Sequence, residues 1–228
     1  MIGIVKKYWL SDASFVSQMF VLAFLVFILP ILIDEGFYYP LLMQLIFLTL
    51  LLSGLFYEYK NNLIWVALVL LGLQVYLFIR DFFIDADTNF LFNPVTLLNV
   101  LFFIYLNIKL LFRDKSINFY RIIGAINIYL LIAVYGALTM GFLHHIKGES
   151  IKGDFVLNGN ESDYADFMYF SITSLTTVGY GDTVAANMAV KMLAVFLSAV
   201  GMLFPVIVLA RLVSMVDKNK IENTDNKG

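Results

Sequence analysis

Six long apolar runs fill most of this 228-residue chain, at roughly 14–33, 40–57, 62–80, 94–112, 119–143 and 186–213. Each is long enough to cross about 30 Å of hydrocarbon. A backbone surrounded by lipid has no water to bond, so each run is predicted to be a helix that satisfies its own amides and carbonyls. The expected fold is therefore an all-α membrane protein with six transmembrane helices. Composition agrees: 61% of residues are hydrophobic, 14% are charged, and the mean hydropathy is +0.86. Lys6 and Lys7 precede the first run as they would a cleaved leader, but residues 13–33 make a full-length span with no small-x-small pattern behind it. The first span is expected to be retained, with residues 1–12, including Tyr8 and Trp9, as an interfacial lead-in. There is no cysteine, which excludes disulfides and thiolate metal sites. No basic patch suggests a nucleic-acid partner, and membrane lipid is the expected surrounding.

Between the fifth and sixth runs lies a polar stretch, His144 to Ser162, and then Asp163–Thr176, apolar enough for a helix but too short to span. A re-entrant pore helix is predicted there, with Asp163 or Ser162 capping its start and Asp166 in the first turn complementing the dipole. Its C-terminal carbonyl end is expected to face a cation. Residues 176–182 follow as Thr-Thr-Val-Gly-Tyr-Gly-Asp. A potassium ion sheds its hydration shell only into a cage of oxygens, and backbone carbonyls supply one without net charge. Pointing successive carbonyls one way requires backbone conformations that glycine visits cheaply, which accounts for Gly179 and Gly181. Four copies around an axis would complete the cage, with carbonyls from Thr177, Val178, Gly179 and Tyr180 and the Thr177 hydroxyl as the innermost rung. Glycine-rich backbone at membrane depth must be buried in protein or line a water-filled path, and a helix–loop–span order provides that shelter.

On these residues the chain resembles the tetrameric potassium channels, whose selectivity filter reads Thr-Val-Gly-Tyr-Gly as Thr177–Gly181 do here. The resemblance covers roughly residues 119–213 and implies a homotetramer conducting potassium passively. It also implies supporting roles for Thr176, Asp182, Tyr169, Phe170 and Thr173. In many relatives the positions of Tyr169 and Phe170 are both tryptophan, forming a cuff that braces the filter. Here Tyr169 keeps a polar tip within reach of Asp182, whereas Phe170 has no donor for Tyr180 and must brace by packing. Thr173 stands where some bacterial relatives carry a glutamate paired with the aspartate. Gly201, nineteen residues after Asp182, matches the hinge glycine of the inner helix, and Pro205 follows one turn later. Both are gating-hinge candidates, with Met202, Val206 and Ala210 as candidate pore-lining residues.

Six spans with a terminal pore resemble the voltage-gated members, yet the fourth span, Pro94 to Lys109, has no basic residue before Lys109. A voltage sensor needs several charges inside the membrane, so strong voltage gating is not expected. The predicted organisation is an interfacial segment at 1–12, a four-helix domain like a degenerate voltage sensor at 13–115, a pore domain at 116–213 and a short tail at 214–228. Placing both termini in the cytoplasm puts eleven Lys and Arg inside against four outside, and a plasma-membrane location is expected. Outside fall Asp34, Glu35, Asp81, Asp85, Asp87, Glu149, Asp154, Glu161, Asp163, Asp166 and Asp182, mostly read as solvated loop residues. Gln74, Asn99, Asn107 and Asn127 are expected to hydrogen-bond between helices. His144 and His145 read as solvated turret residues, and Asn160-Glu161-Ser162 satisfies the glycosylation sequon. Two other classes remain: a non-conducting or modulatory channel-like subunit, and a secondary transporter, which would show carboxylates or broken helices in mid-membrane. No cofactor, ligand or enzymatic activity is expected, since no metal-ligand cluster or nucleophile–base set appears.

Overall fold

A computed structural model describes residues 14–36, 63–84, 91–112 and 119–225. The expected lead-in at 1–12 and the expected second span at 40–57 lie outside these residues. The described elements are α1 (Ser14–Ala23), a π-helical turn (Phe24–Ile28), α2 (Leu29–Asp34), α3 (Leu63–Ile84) and α4 (Pro94–Leu111). There follow α5 (Phe119–Lys147), β1 (Ile151–Lys152), a 3-10 turn (Glu161–Asp163), α6 (Tyr164–Leu175), β2 (Val184–Ala185) and α7 (Met188–Asp225). Four described stretches are long and apolar enough to cross a membrane: Phe15–Asp34, Pro94–Leu111, Phe119–Lys147 and Met188–Ala210. Trp65–Arg80, within α3, is a shorter apolar stretch.

The centre of the molecule is α5, about 43 Å long at 1.5 Å per residue, which packs against α1, α4, α6 and α7. Its Leu131, Val134, Ala137 and Leu138 are fully buried. Small residues let neighbours approach: a Cβ on Gly136 would lie 2.3 Å from the Ser171 hydroxyl of α6, and one on Gly141 would meet the Phe92 ring. Local signals set the helix ends. Asn93 caps α4 by accepting the Thr96 amide at 2.9 Å, with Pro94 in the first turn where its missing N–H costs nothing.

Polar side chains join the front helices. Gln74 on α3 donates to the Thr96 hydroxyl at 2.9 Å, and Asn99 on α4 donates to Gln74 at 3.1 Å and to the Leu70 carbonyl at 3.2 Å. Asn127 on α5 donates to the Phe15 carbonyl of α1 at 2.8 Å. Asn107 differs from expectation: it bonds the Phe103 carbonyl one turn back in its own helix.

Two helix boundaries also differ. The fifth run continues as helix beyond 143, so His144 and His145 belong to the last turn of α5, where basic residues meet the negative end of the dipole. At the other end of the pore segment, α7 runs on as helix to Asp225, through the expected tail, because polar residues after the apolar stretch keep helical propensity.

Candidate functional site: the loop after α6

The site is assembled by α6, the loop 176–183 and the first turns of α7. One face of α6 is buried through Tyr164, Phe167, Met168, Phe170, Ser171, Ser174 and Leu175. The Ser171 hydroxyl donates to the Ala133 carbonyl of α5 at 2.6 Å, and Phe92 meets the Phe167 ring edge-on at 5.5 Å.

The loop begins by turning its amides back into the helix. Thr177 N–H donates to the Ser174 carbonyl at 3.1 Å, and the Val178 and Gly179 amides both donate to the Thr173 carbonyl, at 2.9 and 3.3 Å. With the amides committed inward, the carbonyls of this segment are released from helical pairing. The backbone has positive φ at Thr177 (+60°), Gly179 (+50°) and Gly181 (+85°) and not at the residues between. This alternation of hand is what lets consecutive carbonyls share one side. The sequence accounts for two of the three positions through glycine. At Thr177 a β-branched residue holds the left-handed conformation, at a cost of order 1–3 kcal/mol that the surrounding bonds must offset. Thr176 through Asp182 are all exposed in the single chain, Tyr180 at 74% and Val178 at 50%.

The flanking residues fall as follows. Tyr169 donates its hydroxyl to Asp182 at 2.5 Å. That bond, more than burial, raises the Tyr169 phenol to about 12. Asp182 also accepts the Thr183 amide at 2.8 Å. Phe170 is buried at 8% exposure and braces by packing alone. Thr173 turns its hydroxyl onto the Tyr169 carbonyl at 2.9 Å and offers its own carbonyl to the loop. The Thr176 hydroxyl caps back onto Ile172 at 2.7 Å.

Pro205 lies within an unbroken α7, and Gly201 lies where that helix crosses the end of α6. A Cβ on Gly201 would stand 1.6 Å from the Leu175 carbonyl oxygen, so this glycine is required by close approach. The same carbonyl accepts the Tyr129 hydroxyl at 3.2 Å, and Ser198 donates to the Ser174 carbonyl at 2.9 Å. The last carbonyls of α6, from Ile172 to Leu175, thus all receive protein donors. Met202, Val206 and Ala210 are exposed on α7.

The start of α6 corrects two further expectations. Asp163 does not cap α6 with its side chain. Its carboxylate accepts the amides of Asn158 and Gly159, both at 2.8 Å, and the residue is 2% exposed. Ser162 instead bonds Asn160 of the sequon, both through its amide at 2.9 Å and through its hydroxyl. Glu161 is also buried, at 5%, and accepts the Leu91 amide at 3.1 Å. Loop acids that looked solvated are structural because this turn is rich in amides without helical partners. Asp166 lies in the first turn of α6, and burial, then Asp163 and Asp34, push its carboxyl up to about 6.

Residues 128–218 match the family model described as Ion channel, which places this part of the chain in a family of pore-domain ion channels. That stretch contains most of α5, all of α6, the alternating loop and the apolar length of α7. No curated protein and no solved structure matches the chain.

Proposed function

We propose that this ion channel is selective for potassium and that residues 177–181 are its filter, four copies of the chain supplying one strand each. The carrying observation is the alternation of φ at Thr177, Gly179 and Gly181, with three successive amides tied back into α6. Carbonyl rings replace the hydration shell of a desolvated cation at no cost in net charge. The exposure of the same loop in a single chain is what a strand awaiting three neighbours should show. In this reading α6 is a re-entrant pore helix, α5 and α7 are the outer and inner helices, and Gly201 and Pro205 are the places where α7 bends on opening. The fourth span lacks basic residues before Lys109, so opening depends weakly on voltage. The protein sits in the plasma membrane with both termini in the cytoplasm, six spans deep.

The test is ion flux from purified protein in liposomes. Potassium or rubidium should pass far faster than sodium, and Gly179→Ala should abolish the flux while the protein still assembles. Among the described residues of one chain a Cβ there meets nothing within 4 Å but does face a positive φ, so within the chain the lesion falls on the strand's conformation. Equal passage of sodium and potassium would overturn the selectivity.

A further inference from the structure

The π-helical turn in the first helix has a consequence at the pore. Leu29 N–H bonds the Phe24 carbonyl five residues back, the register of a π-turn. Leu25 therefore loses the partner an α-helix would give it. The residue five after Leu25, which the π register would supply instead, is Pro30, and proline has no N–H. Leu25 is fully buried, in a stretch apolar enough to cross a membrane, where no water can replace the missing donor. The donor comes from the pore side: the Tyr164 hydroxyl, at the first residue of α6, lies 3.2 Å from the Leu25 carbonyl. Tyr164 is itself fully buried, and one turn on its hydroxyl lies 3.5 Å from the Met168 sulfur. A second tie reaches the same end of α6 from a different element, the bond from the Leu91 amide to Glu161.

We propose that the front helices act on the pore through this junction, and that Tyr164 is a positioning residue which sets the open-to-closed ratio of the filter by holding α6 against the π-turn. The proposal rests on the filter reading above. It gives the front half, which lacks a charge ladder in its fourth span, a role as a brace: a shift of the first helix moves the Leu25 carbonyl, and the start of α6 moves with it. The far end of α6 carries the carbonyls that hold the filter amides.

The design of the turn also supplies the experiment. Tyr164→Phe keeps the ring and deletes the donor. Pro30→Ala adds an N–H that can satisfy Leu25 from within its own helix. Single-channel records of Tyr164→Phe should show the open-to-closed ratio shifted about fivefold, the worth of one buried hydrogen bond, with unitary current and potassium-over-sodium preference unchanged. Adding Pro30→Ala should restore the thermal midpoint lost by Tyr164→Phe but leave the gating shift in place, because the carbonyl is satisfied and the tie to α6 is still missing. If the double variant recovers gating as well as stability, Tyr164 merely fills a carbonyl and the proposal is overturned. An unshifted ratio in both variants overturns it too. Should Tyr164→Phe alone fail to assemble, the double variant carries the comparison. Deuterium exchange at the Val178 and Gly179 amides reads the same coupling without current and should quicken in both variants. A wild-type protein that passes no potassium would thus sink the filter reading, with exchange still deciding this one, and unchanged exchange there would overturn it.

Discussion

Helices α5 and α7 are both strongly apolar and both long enough to cross a membrane, yet 67% of the apolar window of α5 is buried inside the chain against 17% for α7. Hydropathy places both in lipid and says nothing about which neighbour each one faces. The buried helix is enclosed by four elements of its own chain. The open one carries Met192, Val195, Phe196, Met202 and Val206 outward, together with the exposed loop 176–182. One long apolar helix is finished within the chain and the other is left bare, a difference that hydropathy does not report.

The comparison breaks most readily where α7 does touch its own chain. Gly201→Val should prevent recovery of folded protein, since the carbonyl it would strike belongs to backbone and cannot swing away; overpacking alone costs about 1–3 kcal/mol and more when nothing yields. Gly72→Val on α3 is the control, since a Cβ there meets nothing within 4 Å among the described residues. Equal monodisperse yields of the two in detergent would refute the close crossing of α6 and α7.

Next in size is a pair that contrasts the two helices directly. Leu131→Ala, at a fully buried position of α5, should destabilise the chain by about 2–5 kcal/mol whatever its assembly state, read as a lower thermal midpoint. Phe196→Ala, 58% exposed on α7, should spare the isolated chain and lower the detergent concentration at which subunits separate in native mass spectrometry. An unchanged separation point for Phe196→Ala would mean that this face of α7 meets no other subunit.

The smallest effect is a pH dependence at the start of α6. The Asp166 carboxyl is raised from 3.8 to about 6, so between these values the folded state binds the proton that the unfolded state has released. Its contribution to stability is then complete below about pH 4, falls as pH rises and is gone above about pH 6. Asp166→Asn should flatten that slope in a thermal-melt series across this window, and an unchanged slope would show that another group carries it.

How much of this was legible beforehand depended on whether the signal was local. The backbone of 177–181 was partly readable because glycine at 179 and 181 marks positive φ, which both residues adopt. The helices Leu63–Ile84 and Pro94–Leu111 were readable because lipid imposes length and apolarity. Glu161 and Asp163 were misread because an acid's solvation depends on the amides that fold around it, here those of Leu91, Asn158 and Gly159. Gly201 read as a hinge, while its contact with Leu175 depends on how α6 crosses α7, a relation between elements that no spacing encodes. The left-handed Thr177 was hidden for the opposite reason: its own chemistry argues against that conformation, and the bonds that tie residues 177–179 back to Thr173 and Ser174 hold it. The π-turn at Phe24–Ile28 has one faint marker, Pro30 late in an apolar run.

The small sheet closes the pore segment into a hoop. Ile151 pairs with Ala185 and Lys152 with Val184, the Ala186 amide adds a bond to the Ser150 carbonyl at 2.8 Å, and Asn187 reaches the Glu149 carbonyl at 3.1 Å. Residues 153–183, which include α6 and the loop 176–182, therefore hang between two strands fastened to each other, and α7 starts just past the clasp. A pull on Asp182 is borne by the strand pair before it reaches α7. Because α7 begins only at Met188, past the clasp, a shift of its far end need not part the two strands, and residues 153–183 keep their closure independently of it.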